Sequence, residues 1–439
     1  MHPRQNGIRE HRIPDPIHGT IRPPPWLKSI DTLTPVRRMA LIRQLGLKAY
    51  IDFPGAIHTR YSHALGVMEL SVRLTDLLIS KLQKLGRPNS VSNLKSNRDT
   101  IAAAGFLHDI GHGPFSHAVD YPLRKFSKKT HEEISTMIIS QDLRELEDHG
   151  IPLESVNKII TGQHRFRFVS SIVNGPLDVD KLDYLLRDSH HVGLKYALDI
   201  ENFIENYTVL GSDPDPDKCE LGLESTPEAV TNAEIFLTIW KGMYDLVYHV
   251  ENSRIAEKML EHAVIAGCAD DNVLRELFEN PRRVAELYDE KLLELLQKTP
   301  GFPAETANAI INKRGLFVKI YDKELSLESF SKISERFLES LRAPDPSEAS
   351  FELSEKLSKE LKVEPFKLIC DIVKSRAPHS IHVDEMDPHG EPLELRSKSP
   401  LIDSIKTKIR LKTYIHPSLQ PKLEAGHLQK TIEGLVASW

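Results

Sequence analysis

The residues with the clearest chemical potential are an adjacent histidine and aspartate, His108 and Asp109. They follow directly on the apolar run 101–107, which predicts a helix buried on all sides within a bundle. Gly111 and Gly113 then end this helix, so the pair lies at its inner end. A buried carboxylate without a partner costs on the order of several kcal/mol, and a bound metal cation would offset that cost. An isolated histidine–aspartate pair is more often a hydrogen-bonded helix end, so further ligands are needed to indicate a metal site.

Two other segments carry ligands of the same types. His63 lies at the start of a predicted amphipathic helix, and residues 178–188 (DVDKLDYLLRD) contain four carboxylates. One histidine, the His108–Asp109 pair and a distal aspartate form a mixed nitrogen and oxygen ligand set. Such a set suits Mn²⁺, Fe²⁺, Zn²⁺ or Mg²⁺. Together the clusters favour a metal centre over separate structural pairs.

These residues must be positioned by helices. Residues 1–35 are rich in turns and predict an extended arm. From about residue 35 to 270, apolar residues recur at three- and four-residue steps, which predicts an all-helical domain. Within it, Thr130 and Glu133 have the spacing of a capping box, which places His131 in the first turn of a helix. A helix N-terminus there would itself attract an anion such as phosphate.

Beyond about residue 300 the pattern changes from helical to alternating. Short strands are predicted at 316–321, 367–373, 380–384 and 408–415, interrupted by a charged helix at 350–361. The predicted fold is mainly α, a helical bundle with a smaller C-terminal α+β domain. The predicted domains are 1–270 with the N-terminal arm, a helical extension over 271–345, and the α+β domain over 346–439.

The composition excludes several classes of protein. No stretch reaches the ~20 consecutive apolar residues of a membrane helix, and the first residues carry no segment typical of a signal peptide. The 3 cysteines lie far apart, which argues against a disulfide framework and a thiolate zinc site. With 57 Lys and Arg against 63 Asp and Glu, the net charge of −6 argues against nucleic-acid binding through a global positive field. We expect a cytoplasmic protein.

The series His63, His108, Asp109 and Asp180 resembles the metal-dependent phosphohydrolases of the HD superfamily. The similarity is greatest to the deoxynucleoside-triphosphate triphosphohydrolases of the SAM-and-HD-domain type, although we expect no SAM domain ahead of residue 15. It is carried by DPIHG (15–19), QLG (44–46), FPGAIHTRYSHALGV (53–67), FLHDIGHGPFSH (106–117), DVDKLDY (178–184), RDSHHVG (187–193) and MYDLVYHVENSRIAEKML (243–260). A weaker similarity lies at SPLIDSIK (399–406).

The resemblance implies roles for individual residues. The implied ligands of a divalent metal ion (Mn, Fe, Zn, Ni, Co or Mg) are His63, His108, Asp109 and Asp180. The implied catalytic residues facing the phosphates are His112, His117 and His131, with Asp120 orienting one of them. The implied substrate-binding residues are Arg60 and Lys181 for phosphate charge, Tyr184 and Asp188 for the sugar or triphosphate, and Gln44 with Leu45 against the deoxyribose.

By resemblance, the protein would hydrolyse a dNTP to a deoxynucleoside and triphosphate, as a homodimer or homotetramer. The cations Arg37, Arg38 and Arg43 predict a solvated helix face. Their functional alternative, again by resemblance, is a site for an activating nucleotide at a subunit interface, with Asp31 contacting the base. Two other functions stay open. One is hydrolysis of another phosphoester, such as a nucleoside monophosphate or cyclic nucleotide, and the other is non-catalytic binding of nucleotides or nucleic acid.

The chain departs from the family pattern at two positions. Relatives usually carry an arginine that serves the triphosphate where this chain has Trp240, followed by Lys241. Many relatives have a histidine two residues after the tyrosine equivalent to Tyr248, whereas here His249 follows that tyrosine directly. Because an indole cannot replace the charge of a guanidinium, the sequence predicts weaker triphosphate binding than in relatives that keep the arginine.

Overall fold

The structure, a computed structural model, describes residues 12–325, 334–343, 345–375, 380–386, 391–421 and 425–439. The part of the predicted arm before residue 12 lies outside this range. The mainly helical fold class predicted from the sequence is confirmed, with small sheets concentrated in the C-terminal half. Among the described helices, none is both long enough and apolar enough to cross a membrane.

The helices follow one another with short connections through most of the chain. In chain order they are α1 (Leu27–Ile30), α2 (Thr34–Arg38), α3 (Lys48–Ile51), α4 (Arg60–Lys84), α5 (Pro88–Leu107), α6 (Asp120–Ser127), α7 (His131–Asp142), α8 (Leu153–Ile160), α9 (Arg167–Ser170), α10 (Val179–Val192), α11 (Ile200–Glu205), α12 (Pro227–Met243), α13 (Glu251–Asp270), α14 (Asn272–Glu279), α15 (Pro281–Val284), α16 (Asp289–Lys298), α17 (Phe302–Asn312), α18 (Glu335–Arg342), α19 (Ser347–Glu360), α20 (Pro400–Ser404) and α21 (Ala425–Ala437). A π-helical turn, Tyr244–Tyr248, joins α12 to α13.

Helices α4 and α5 form the packed pair on which the site is built. At the start of α4, the Thr59 hydroxyl accepts the amide hydrogen of Ser62, whose side chain in turn accepts from the Thr59 amide. Gly86, at φ +67°, follows the end of α4 and allows the chain to turn into α5. The last residues of α5, 101–107, are all buried, as predicted. This helix therefore delivers the residues that follow it into the protein interior.

The strands in the described part of the chain form three sheets. A hairpin of β1 (Ile13–Asp15) and β2 (Gly19–Ile21) lies in the segment predicted as an extended arm. A four-stranded sheet has the order β3–β4–β7–β8, with β3 (Tyr207–Leu210), β4 (Glu220–Leu223), β7 (His382–Met386) and β8 (Pro392–Glu394). An antiparallel sheet has the order β5–β9–β6, with β5 (Val318–Glu324), β6 (Leu368–Ser375) and β9 (Lys408–Ile415). The four strands predicted beyond residue 300 each overlap one of these, and the predicted charged helix is α19.

The described residues pack around two main hydrophobic cores. The first runs from Ile21 through the helical region and also takes up Val383 and Ile402. The second combines Phe337 on α18 with the β5–β9–β6 sheet, α19 and α21. Residues 381–386 and 391–402 therefore pack on the helical region, although they were predicted within the C-terminal domain. The predicted domain ranges stay a prediction.

Candidate metal centre

The predicted metal ligands meet at the junction of three helices. His63 lies in the first turn of α4, His108 and Asp109 follow directly on α5, and Asp180 lies in the first turn of α10. Asp180 Oδ1 is 3.0 Å from His63 Nε2 and 3.4 Å from His108 Nε2. The Asp109 carboxylate oxygens are 3.6 Å from His63 Nε2 and 3.4 Å from His108 Nε2. The structure thus brings together all four residues that the resemblance implied.

Both histidines present their Nε2 atoms to this junction. His63 Nδ1 bonds to Asp183 Oδ2 at 2.8 Å, and His108 Nδ1 donates to the carbonyl of Gly105 at 2.9 Å. With Nδ1 engaged, each Nε2 is left as the ligand atom. Both Nε2 atoms are buried and have no hydrogen-bond partner in the described part of the chain. Together with Asp180 they form a group whose ligand atoms lie close enough to hold a metal ion, and this donor set fits a divalent ion.

The electrostatics of the junction favour a cation. Burial opposes a charge on His63, but the carboxylates of Asp180 and Asp183 outweigh it and raise its pKa to about 10. Burial also opposes ionisation of Asp109, yet Arg60 and the neighbouring imidazoles hold its pKa well below the usual range. Burial opposes ionisation of Asp180 as well, but the neighbouring rings of His108 and His63 outweigh it and lower its pKa. Ionised carboxylates in a dry pocket attract a positive charge strongly.

Behind His63 lies a buried ion network that the sequence analysis missed. Asp183 is fully buried and accepts from Arg187 Nε at 2.8 Å and from Arg187 Nη2 at 2.9 Å. Its carboxylate also contacts His18 Nε2 at 2.6 Å, and Arg187 Nη1 donates to Asp15 Oδ2 at 2.8 Å. Asp183 lies three residues after Asp180 on a predicted helix, so this spacing could have revealed it. The network fixes the orientation of the His63 ring.

The two predicted phosphate cations lie beside the junction and are partly engaged. Arg60 is buried; its Nη1 contacts Asp109 and its Nε donates to Ser116 Oγ at 3.0 Å. Lys181 Nζ donates to Asp178 Oδ2 at 2.5 Å and to the carbonyl of Gly175 at 2.9 Å. Burial lowers and Asp178 raises the pKa of Lys181, with a net increase. Both side chains therefore provide fixed positive charge.

The predicted catalytic residues form a second cluster next to Asp109. The His112 and His131 rings stack with centroids 3.9 Å apart, and His112 Nε2 lies 3.3 Å from Asp109 Oδ1. Asp120 Oδ2 bonds to His117 Nδ1 at 2.8 Å, and Asp120 Oδ1 lies 3.4 Å from His131 Nδ1. The predicted capping box is confirmed, because the side chains of Thr130 and Glu133 each accept from the backbone amide of the other.

The pKa values of His112 and His131 in this cluster are shifted in opposite directions. Burial and the charges of Arg60 and His131 lower the pKa of His112 well below its usual value. Burial acts against charge on His131 too, but the nearby Asp120 carboxylate outweighs it and raises its pKa. Such a separation of pKa values within one site is typical of acid–base machinery.

The predicted sugar-contacting residues lie further along α10 and in the QLG segment. Gln44 Oε1 is buried and has no hydrogen-bond partner among the described residues, and Leu45 is buried beside it. Tyr184 is buried only in part, whereas Asp188 is 2% exposed. The Asp188 carboxylate accepts from Tyr248 at 2.8 Å and contacts His58 Nε2 at 2.7 Å. Asp188 therefore already has two partners in the protein, which the sequence did not show.

An aromatic group borders the site at the π-helical turn. Trp240 lies at 4.7 Å from Tyr244, and Tyr244 at 5.0 Å from Tyr248, measured between ring centroids. Trp240 is buried at 8% exposure, and Lys241 is paired with the Asp245 carboxylate instead. π-Helical turns inside longer helices are frequent at functional sites. We call Trp240, Tyr244 and Tyr248 the aromatic wall.

The arginine run does not form the single solvated face that was predicted. Arg37 is exposed, but Arg38 is buried at 3% exposure. Its guanidinium donates to the carbonyls of Ile110 at 2.7 Å, His112 at 2.8 Å and Leu287 at 2.9 Å. The prediction was wrong for Arg38, because a helix this short has its face decided by long-range packing.

Comparison with known proteins decides the family. Residues 60–188 match the family described as "HD domain", and residues 221–419 match the "HD associated region". The chain is an HD-domain protein. All four candidate metal ligands lie within the residues matched to the HD domain, and the aromatic wall lies in the HD-associated region.

Relatives of this HD-domain protein include enzymes with assigned names. The Dictyostelium discoideum "Deoxynucleoside triphosphate triphosphohydrolase SAMHD1 homolog" is 28% identical over 68% of this chain and 57% of its own length. The Homo sapiens "Deoxynucleoside triphosphate triphosphohydrolase SAMHD1" is 34% identical over 44% of this chain and 35% of its own length. The matched region thus spans from about a third to just over half of these curated relatives.

One solved structure matches almost the whole chain. It is the crystal structure of a hypothetical protein from Aquifex aeolicus, with a TM-score of 0.70 and 23% identity over 95% of this chain and 99% of the other. At this identity the similarity supports the fold alone. It extends the shared fold beyond the HD domain into the C-terminal α+β region.

Proposed function

We propose that the protein is a metal-dependent phosphohydrolase that converts a deoxynucleoside triphosphate to a deoxynucleoside and triphosphate. The observation that carries the proposal is the convergence of the unpartnered His63 and His108 Nε2 atoms on Asp180. A cluster with separated histidine pKa values lies directly beside it. The relatives named as deoxynucleoside triphosphate triphosphohydrolases support the choice of substrate.

The ion would be held by His63, His108, Asp109 and Asp180. A divalent ion there supplies Lewis acidity, which makes water a better nucleophile near neutral pH. Asp183 orients His63, and the Gly105 carbonyl orients His108, so the chain itself fixes the direction of both ring nitrogens.

Phosphoryl transfer needs positioning and positive charge more than covalent help. Arg60 is held by Asp109 and Ser116, and Lys181 by Asp178, so neither cation has to be ordered when the substrate binds. The fixed guanidinium and ammonium groups would face the negative oxygens of the α-phosphate and its neighbours.

His131 would act as the general acid. Asp120 raises its pKa against the effect of burial, which favours the protonated ring that would donate to the 5′ oxygen of the departing deoxynucleoside. His112 is kept neutral and would fix the position of His131 through ring stacking. His117 is exposed and would contact the phosphates at the mouth of the site.

The sugar would lie between the QLG segment and α10. The unpartnered Gln44 Oε1 would accept a hydrogen bond from the sugar, and the buried Leu45 would exclude a larger substituent. Tyr184 would contact the sugar directly. Asp188 would act mainly by holding Tyr248 and His58 in place, since both are bonded to its carboxylate.

The resemblance extends the proposal to assembly and regulation. We propose a homodimer or homotetramer, and an activating nucleotide near the exposed Arg37 and the partly buried Arg43. Asp31 is bonded to the Tyr61 hydroxyl in this structure, so base contact would require it to exchange partners. Light scattering with and without GTP tests both parts.

The decisive experiment is product analysis with a panel of nucleotides and divalent ions. Purified protein is incubated with each dNTP, NTP and NMP, and inorganic products are separated by ion chromatography. Equimolar deoxynucleoside and triphosphate are expected from at least one dNTP. Release of orthophosphate or pyrophosphate, or no turnover of any dNTP with any ion or activator, would contradict the proposed reaction.

A second candidate is hydrolysis of a substrate with fewer phosphates, such as a nucleoside monophosphate or a cyclic nucleotide. It is favoured by Trp240, which places an indole where relatives have a cation for the triphosphate. Lys241 does not replace that cation, because its ammonium is paired with Asp245. The same panel, extended to cyclic nucleotides, separates the two candidates by the released product.

A further inference from the structure

The turn behind the metal ligands has an uncommon backbone. Phe115 and Ser116 are consecutive non-glycine residues with φ of 57° and 56°. Side chains rarely adopt this left-handed region, and such residues persist only where the surrounding structure holds them. Both residues are buried, and Gly46 of the QLG segment packs against the Phe115 carbonyl. Something outside the turn must therefore stabilise its conformation.

The group that holds the turn is a carboxylate from far along the chain. Asp289, the first residue of α16, has a side chain with 0% exposure. Its Oδ1 accepts the Phe115 amide hydrogen at 2.6 Å, and its Oδ2 accepts the Arg43 amide hydrogen at 2.9 Å. One carboxylate thus ties the left-handed turn to the strand-like segment that continues into Gln44.

The Phe115–Ser116 turn also holds Arg60, the cation proposed to bind phosphate. Ser116 Oγ accepts from Arg60 Nε at 3.0 Å and donates to the Arg43 carbonyl at 3.3 Å. Arg60 then contacts Asp109. A continuous set of contacts therefore runs from Asp289 through the turn to the guanidinium beside the metal ligands.

A second set of hydrogen bonds, made by Arg38, connects the segment next to Asp289 with the residues that follow the metal ligands. Arg38 donates to the Leu287 carbonyl and also to the carbonyls of Ile110 and His112. Residues 287–289 are thus joined to both ends of the segment that links the metal ligands to Ser116. These residues belong to the HD-associated region, whereas the turn belongs to the HD domain.

We propose that Asp289 is a positioning residue for the phosphohydrolase reaction, which holds Phe115 and Ser116 in the conformation that aims Arg60 at the substrate phosphate. The proposal rests on the proposed function for its reaction. It assigns the HD-associated region a role in turnover, separate from binding the metal.

The surroundings of Asp289 disfavour its ionised form. Burial raises the pKa of its carboxyl to about 7, although the hydrogen bonds from the Arg43 and Phe115 amides lower that pKa. The charged and titratable groups facing it are Arg38 from α2, Arg43 from the QLG segment, Tyr50 from α3 and Glu290 from α16. Since the folded-state pKa exceeds the ordinary value, ionisation of Asp289 lowers stability as pH rises through 7.

The test compares Asp289→Asn with Glu290→Gln. Asn keeps the shape but replaces one acceptor oxygen by a donor, so one of the two backbone contacts is lost. Glu290 is the matched control, because it is the adjacent, half-exposed carboxylate and contacts the Tyr50 hydroxyl rather than the turn. We expect Asp289→Asn to lower kcat roughly 10- to 100-fold, as loss of a supporting contact does. Its metal content and its thermal midpoint at pH 8 should stay close to those of the wild type, and Glu290→Gln should retain kcat.

The pH dependence separates positioning from a general structural role. Below pH 7 the wild-type carboxyl gains a proton and loses one acceptor, so the ratio of wild-type to Asp289→Asn kcat should fall between pH 8.5 and pH 6. A ratio that stays constant over this range, or a kcat within twofold of the wild type at pH 8.5, would overturn the proposal.

Hydrogen–deuterium exchange gives a readout that needs no activity. The peptide containing Phe115 should exchange at least tenfold faster in Asp289→Asn and unchanged in Glu290→Gln. If no dNTP is turned over, kcat is measured on bis(p-nitrophenyl) phosphate, and the substrate assignment fails while the positioning role is still tested. Unchanged exchange of the Phe115 peptide would overturn the positioning role whatever the substrate.

Discussion

The two sides of the candidate site are stabilised by different forces. The side that carries His63 is backed by a network of fully buried ions, in which Asp183 and Arg187 are both 0% exposed. The aromatic wall consists of rings in edge-on and tilted contact, with Tyr248 anchored to Asp188 by a single hydrogen bond. Helix α10 contributes to both sides, since it carries Asp180 and Asp183 as well as Tyr184 and Asp188.

This difference indicates which side of the site can tolerate amino-acid substitution. Removing one partner of a buried ion pair leaves an uncompensated charge and costs about 3–5 kcal/mol, so the ligand side tolerates few substitutions. An aromatic contact contributes about 0.5–1.5 kcal/mol beyond the area it buries, and a different large side chain can fill the same space. We therefore expect metal chemistry to be fixed by the ligand side and substrate preference to be set by the aromatic wall.

The largest effect is expected from the ligands themselves. His63→Ala or Asp109→Ala should lose the bound metal and reduce hydrolysis to background, because each removes one donor from a small ligand set. Elemental analysis of purified protein measures the metal, and Asp99→Ala, on the exposed side of α5, is the matched control. Full metal content in both ligand variants would show that the ion is bound elsewhere.

The next effect is expected at the proposed general acid. His131→Ala should lower kcat by ~10²–10⁴ while the metal stays bound, as removal of a proton donor does. The exposed His149 provides the control substitution His149→Ala. If kcat stays within a few-fold of the wild type, His131 serves only as the first residue of α7.

A smaller effect on chemistry is expected from the buried network. Asp183→Asn should weaken metal binding about 10- to 100-fold, since Asp183 orients His63. It should also lower the free energy of unfolding by about 3–5 kcal/mol at pH 7, because Arg187 loses one of its two buried carboxylate partners, the other being Asp15.

The stability effect of Asp183→Asn has a defined pH dependence. Burial would raise the pKa of Asp183, but Arg187, His18 and His63 hold it well below its ordinary value. Its stabilisation is therefore present above the unfolded-state pKa near ~3.9 and is lost as pH falls below it. Chemical denaturation at pH 7 and pH 3.5 should show the wild-type advantage shrinking at the lower pH. An equal difference at both values would contradict the assignment of an ionised Asp183.

The smallest predicted effect concerns the aromatic wall. Trp240→Arg should tighten dNTP binding by roughly 1.5–3 kcal/mol, the contribution of a hydrogen bond to a charged group. Calorimetric titration with a non-hydrolysable dNTP measures the change, and Trp240→Phe controls for loss of the indole. Unchanged or weaker dNTP affinity in a folded Trp240→Arg protein would favour a substrate other than a triphosphate.

Local parts of the site could be predicted from the sequence. The all-round apolar run before His108, the capping box around His131 and the carboxylates of α10 are features of single segments, so periodicity and spacing indicate them. The strands of the C-terminal sheet likewise followed from alternation. Each of these elements lies within a few residues of its predicted position.

Contacts between distant segments could not be predicted. Arg38 looks like part of a charged face, and its burial depends on carbonyls from Ile110, His112 and Leu287. Asp289 looks like an ordinary acidic residue in the first turn of a helix, where it would suit the helix dipole. Strands β3 and β4 are short and depend on each other for pairing, which leaves no periodic pattern long enough to indicate them.

Strand β4 pairs in parallel with β7 through Leu223 and Val383, and Ile402 closes the same core. A ribosome adds about 5–20 residues per second, so the last residues of the helical core are synthesised several seconds after the helices on which they pack. During this interval its apolar faces stay open to solvent and to chaperones. A stop codon placed before residue 381 would therefore yield an incompletely closed helical core, prone to aggregation, and not a smaller working hydrolase.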